Sequence, residues 1–154
     1  MIQIVNYEPK YAAAFCNLNK EWIERYFEME AQDYLSLENP DTYIIQPGGA
    51  IFIALLNDVA VGACALVKHD DGLYELSKMA VTPAVQGQKI GQKLAEKIIQ
   101  KARELHLKHI FLITNSTLKP AIALYQKLGF THVITFESVY KRGDVKMELT
   151  LTDK

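Results

Sequence analysis

Residues 75–91 read ELSKMAVTPAVQGQKIG, from Glu75 to Gly91. Glu75 to Val81 has the make-up of a strand, Pro83 interrupts it, and a helical pattern begins near Gln88. Gly87 and Gly91 bracket the interruption. A strand that feeds a glycine-containing turn and then a helix gathers unpaired backbone N–H groups and the positive end of the helix dipole at one point. Such a point binds anions, and phosphate groups above all.

Downstream, Ile90, Leu94, Ile98, Ala102 and Leu105 form one apolar stripe with charges on the opposite side, which predicts an amphipathic helix. His109 to Thr114 reads as a short apolar strand. Lys119 to Leu128 reads as a helix, with Pro120 in its first turn, Gly129 as its left-handed cap and Phe130 closing over the last turn. Thr131 to Phe136 and Asp144 to Thr150 complete the pattern as strands paired around Lys141-Arg142-Gly143.

Upstream, Asp70-Asp71-Gly72 turns the chain into the strand Leu73 to Val81. Ala50 to Leu56 and Val59 to Lys68 read as a hairpin joined by Asn57-Asp58. Ile2 to Val5 is a strand, and Pro9 to Phe27 a helix with Tyr11, Phe15, Leu18, Trp22 and Tyr26 at helical spacing. A second helix, Met29 to Leu37, stops before Asn39-Pro40. This order predicts an α/β fold, a central mixed sheet with helices on both faces. Early hairpins supply its antiparallel part, and the unit from Leu73 to Thr114 supplies a parallel pair.

At 154 residues and 49% apolar, the chain is long enough to bury a core, and it reads as one domain over residues 1–154. No apolar run approaches the roughly 18 residues of a membrane span. The start, MIQIVNYEPK, lacks the basic and apolar regions of a signal peptide. Cys16 and Cys64 stand far apart without metal spacing. Together these features predict a cytoplasmic protein with no membrane association and no metal. Residues 21–41 carry seven acids against Arg25, a net −6, and residues 86–127 carry eight bases against Glu96 and Glu104, a net +6. Two solvated helix faces account for this, as does a basic half for a polyanionic cofactor beside an acidic half for a cationic substrate. Nucleic acid is not an expected partner, because the bases interleave with helix-period apolar residues and the whole chain sums to −1.

The chain resembles the GNAT superfamily of N-acetyltransferases, which use acetyl-CoA. Gln86-Gly87-Gln88-Lys89-Ile90-Gly91 is similar to that family's pyrophosphate loop: Gln or Arg, two variable residues, Gly, a variable residue, then Gly or Ala. Glu75 to Val81 resembles its fourth strand, whose backbone pairs with the pantetheine arm. Asn115 with Ala121, Tyr125, Gly129 and Phe130 resembles its second cofactor motif. Lys89 departs from the pattern, standing where the loop has glycine. A side chain there is compatible with helical φ, so the turn is expected to survive.

The resemblance implies a GNAT-like fold and direct acetyl transfer to a primary amine of a small molecule or peptide. A non-catalytic acyl-CoA-binding module is the alternative. It implies acetyl-CoA as co-substrate, held by Gln86 to Gly91 and by Met79, Ala80 and Val81, with a splayed strand near Met79 and Ala80 freeing an N–H for the thioester oxygen. Glu75 is implied as a general base acting through water; a carboxylate hydrogen-bonded across the sheet fits it equally. Tyr125 is implied as the acid for the thiolate, or else as a core tyrosine beside Phe130. Full proton transfer from tyrosine to thiolate runs uphill by roughly 2 kcal/mol in water, so a lowered tyrosine pKa would assist it. Asn115 either bonds the pantetheine amides or caps a turn. The acidic segment 21–41 lies where the family places acceptor-binding helices, which suggests a cationic acceptor such as a polyamine, an amino sugar or a lysine side chain. The assembly is expected to be a monomer or a homodimer.

Overall fold

The computed structural model describes residues 1–85, 87–134 and 142–151. Within these, the apolar strands assemble into a seven-stranded sheet in the order β1-β2-β3-β4-β5-β7-β6. The strands are β1 (Ile2–Asn6), β2 (Ala50–Leu56), β3 (Val59–Lys68), β4 (Tyr74–Val81), β5 (His109–Thr114), β6 (Thr131–Val133) and β7 (Val145–Thr150). All neighbours are antiparallel except β4 and β5. Asn57 and Asp58, at φ 50° and 67°, form the left-handed two-residue turn that a twisted hairpin requires.

Central strands are apolar on both sides because helices cover both faces. Helices α3 (Ile90–Glu104) and α4 (Lys119–Lys127) cover one face, where Leu94, Ile98 and Tyr125 meet Leu66, Leu76, Ile110 and Leu112. On the other, α1 (Ala12–Tyr26) places Phe15 and Ile23 with Ile51, Ile53, Ala63 and Ala65. Successive β2 residues divide between the two cores, Phe52 and Ala54 to the first, Ile51 and Ile53 to the second, as strand alternation demands.

Some boundaries differ from the sequence reading. Pro9–Tyr11 forms a 3-10 turn before α1. Helix α2 (Ala31–Glu38) starts late because Glu30 takes the cap position: its backbone N–H donates to Asp33 Oδ2 at 2.9 Å, half of a reciprocal capping box. Asp41–Ile45 forms a π-helical turn that no periodicity signals. Of the strand expected over Thr131 to Phe136, Thr131–Val133 is formed; Phe136 and Lys141 lie outside the described residues.

Two irregularities at β4 shape the molecule. Towards β5, the parallel pairing holds at Glu75 and Phe111 and the strands then diverge. Towards β3, Ala65 faces Ser77 but Ala63 faces Ala80, so Lys78 and Met79 occupy the space opposite Cys64 alone. This is a bulge, and Lys78 sits in it at φ 57°.

Candidate active site

The splay of β4 from β5 opens a cleft enclosing about 200 Å³. Glu75, Lys78, Met79, Ala80 and Val81 form one wall, Leu112 to Asn115 the other; Ala121 and Tyr125 of α4 and Trp22, Ile23 and Phe27 from the α1 side close it. The bulge therefore takes in Met79, one of the two expected residues, together with Lys78 before it.

At the start of α3, Lys93 N–H donates to Lys89 O at 3.1 Å. The N–H groups of Ile90, Gly91 and Gln92 precede that bond and have no intrahelical acceptor. The side chain of Lys89, at the N-cap position, makes no capping hydrogen bond. A Cβ at Gly91 would meet only Met79 Sδ at 3.6 Å and Leu124 Cδ2 at 3.8 Å, which are ordinary contacts. Packing therefore does not demand the glycine. Gly87, at φ 92°, needs glycine for its backbone instead. Ile90 is buried in the core and has only its backbone to offer, Gln88 and Lys89 are exposed, and Gln86 lies outside the described residues.

Tyr125 packs edge-on to Phe130, with ring centroids 5.8 Å apart, and its hydroxyl donates to Met79 Sδ at 3.8 Å. Burial pushes its pKa up, so the lowered value that would aid proton transfer is not what this site provides. Burial likewise pushes the Cys64 thiol up, leaving it unreactive.

Glu75 Oε1 lies 2.7 Å from His69 Nε2 while its side chain, 11% exposed, lines the cleft. Glu75 is thus hydrogen-bonded to the residue that follows β3, and its side chain also lines the cleft. Asn115 donates to Arg142 O at 2.6 Å and accepts from the Thr117 N–H and hydroxyl at 2.9 and 2.6 Å, so its amide caps the turn after β5 and tethers the chain at Arg142.

The profile of the Acetyltransferase (GNAT) family matches residues 15–130. This chain belongs to that family. It is 37% identical over 91 residues to the uncharacterized N-acetyltransferase YjgM of Escherichia coli, a match covering 57% of this chain and 54% of YjgM, about half of that relative's length. Its fold matches that of a GNAT-family acetyltransferase from Staphylococcus aureus Mu50 at a TM-score of 0.87, with 23% identity over 99% of this chain and 100% of the other. It also matches the PaiA N-acetyltransferase of Thermoplasma acidophilum, solved in complex with coenzyme A, at a TM-score of 0.75 with 15% identity over 98% and 99% of the two chains. No helix among the described residues is long and apolar enough to cross a membrane.

In this GNAT chain, Lys89 adopts φ 60° and ψ 28°, the left-handed region, and not the helical φ expected for it. The family's glycine at that position suits this backbone, and α3 consequently starts at Ile90, two residues after Gln88.

A buried charge cluster also borders the GNAT cleft. Asp33, fully buried, accepts from Arg142 Nη2 at 2.8 Å and Nη1 at 2.9 Å, and Lys78 Nζ lies 3.6 Å away with its side chain 6% exposed. Burial lowers the Lys78 pKa, opposed by Asp33 and Glu75. Asp33 is legible in sequence as a capping residue, but nothing local announces a partner 109 residues away. Of the seven acids in residues 21–41, Glu30 and Asp33 are thereby drawn inward to Arg142, and the other five are exposed.

Proposed function

We propose that the protein transfers an acetyl group from acetyl-CoA directly to a primary amine of a small molecule or peptide. The observation that carries this reading is the cleft along the unzipped edge of β4, which is lined by Glu75 and by Met79, with Gly91 in the first turn of α3 beside Met79. Its support from relatives is family membership and the coenzyme A bound to the PaiA protein.

In this scheme the first turn of α3, with Gly87 to Gly91, takes the pyrophosphate, where the helix end carries about half a positive charge. Met79, Ala80 and Val81 face the pantetheine arm, and the bulged backbone donates an N–H to the thioester oxygen as charge builds there. A lysine-like acceptor amine, of pKa about 10.4, is deprotonated at a cost of roughly 4–5 kcal/mol at pH 7. Glu75 accepts that proton through water. The amine lone pair attacks the carbonyl carbon, the C–N bond forms and the C–S bond breaks. Tyr125, kept protonated by burial, stabilises the departing thiolate by hydrogen bonding. The exposed acids Glu21, Glu24, Glu28, Glu38 and Asp41 favour a cationic acceptor.

The test is calorimetric titration with acetyl-CoA, followed by a thiol-release assay with spermidine, glucosamine and a tripeptide bearing a free α-amine. Binding followed by amine-dependent thiol release is the expected result. Binding with no transfer to any amine would leave an acyl-CoA-binding module.

A further inference from the structure

We propose that His69 is the positioning residue for Glu75, holding the carboxylate at the cleft wall and governing its strength as a base through the charge on the imidazole. This rests on the acetyltransferase reading above. The geometry is that of a bridge from solvent to cleft. The His69 main chain is pinned just beyond β3, its N–H donating to Leu73 O at 2.8 Å and its carbonyl accepting from Gly72 N–H at 2.9 Å. The ring then has one polar side-chain contact described, Glu75 Oε1 at 2.7 Å, and lies against Phe111 with centroids 5.5 Å apart. Its side chain is 40% exposed against 11% for Glu75, so the imidazole exchanges protons with solvent while the carboxylate it holds lines the cleft.

The charged groups around this pair come from each element packed on it. Glu75 faces the ring from β4, and Asp70 and Asp71 from the turn that follows β3. Phe111 of β5 carries Lys146 of β7 over its ring at 4.8 Å and is in register with Glu148; Lys78 acts on Glu75 from beyond. The hydrogen bond to Glu75 raises the His69 pKa above its ordinary 6.5; burial opposes the shift, and the charges of Glu75, Asp71 and Asp70 add to it.

As an imidazolium, His69 makes Glu75 half of an ion pair, so the carboxylate's charge is engaged by the ring when the amine proton arrives. As a neutral ring, it still donates Nε2–H to Oε1, so the position is kept while the charge is gone. The proton balance is simple. Two protons leave the ammonium: one passes through water to Glu75 and returns to solvent, the other leaves the nitrogen as the tetrahedral intermediate collapses and ends on the departing thiol, while His69 retains its Nε2 proton throughout. Turnover therefore climbs as pH rises through the ionisation of His69.

The experiment compares wild type, His69→Gln and His69→Ala from about pH 5 to 8. It uses saturating acetyl-CoA and whichever of spermidine, glucosamine or the tripeptide is turned over fastest. The wild-type and Glu75→Gln imidazoles are titrated alongside by NMR, with His69→Gln assigning the resonance. Glutamine keeps a donor but no charge. His69→Gln should hold kcat within about 3-fold of wild type at the alkaline end and lose the wild-type fall towards acid, while His69→Ala should lose about 10-fold at every pH. The His69 pKa should fall in Glu75→Gln, because the hydrogen bond and charge that raise it are both removed. A His69→Gln profile that overlays the wild type, or an imidazole titration unmoved by Glu75→Gln, overturns the proposal while leaving acetyl transfer intact. A coupled imidazole in a protein that binds acetyl-CoA but acetylates none of the three amines overturns the transferase reading, and this role with it.

Discussion

Asp33 on α2 grips Arg142 with both carboxylate oxygens, at 2.8 and 2.9 Å, and so ties the N-terminal helices to the chain entering β7. Removing it takes the bidentate acceptor from Arg142, which keeps Glu30 at 3.3 Å, and takes a carboxylate at 3.6 Å from the buried Lys78. Asp33→Ala is expected to destabilise the fold by about 3–5 kcal/mol, measured by urea unfolding, because breaking a buried pair from one side leaves the remaining charge less compensated. The same pair sets an acid limb. Burial would push the Asp33 pKa up, but hydrogen bonds from Arg142 and the Glu30 N–H, with the Lys78 and Arg142 charges, hold it below its ordinary 3.8. A depressed folded pKa adds stability that is fully present above 3.8 and is lost as pH falls from there through the lower folded value. Wild type should lose this increment in that window, and Asp33→Asn should show a flatter profile there.

At the helix start, Gly91 has room for a methyl group but faces the proposed pyrophosphate. Gly91→Ala should fold normally, since its Cβ would meet nothing closer than 3.6 Å. Gly91→Glu should also fold, yet its carboxylate opposes the phosphates. Calorimetry should show at least about a 10-fold loss of acetyl-CoA affinity, roughly 1.4 kcal/mol. Unchanged affinity would remove the anion site from α3.

Lys89 holds a left-handed backbone at φ 60° despite its side chain. That conformation costs an L-residue about 1–2 kcal/mol, while glycine adds about 0.5–1 kcal/mol of unfolded-state entropy, so Lys89→Gly should stabilise the fold by about 0.5–1 kcal/mol. Thermal unfolding reads this directly, and a destabilised variant would mean that the Lys89 side chain contributes contacts of its own.

Tyr125 has only a thioether partner for its hydroxyl among the described contacts, at 3.8 Å. Tyr125→Phe should therefore change stability by less than about 1 kcal/mol. If the hydroxyl meets the departing thiolate, kcat should fall by about 10-fold or more with acetyl-CoA affinity preserved. Equal kcat in the two proteins would return Tyr125 to a packing role.

Much of the architecture was already legible along the chain. The bounds of β5, His109–Thr114, the hairpin at Asn57-Asp58 and the Pro120 to Gly129 limits of the last helix follow from residue period, φ restriction and capping, which act within a few residues. The candidate cofactor turn belongs to the same class, because one strand, two glycines and one helix are contiguous. Only tertiary structure decided the left-handed Lys89, the Lys78 bulge, the Arg142–Asp33–Lys78 cluster and the hold of His69 on Glu75. Each depends on register between strands or on charges brought together from distant segments. Local propensity carries no term for either: burial turned Glu30 and Asp33, two members of an ordinary acidic stretch, into fixed partners for cations that the linear order keeps far away.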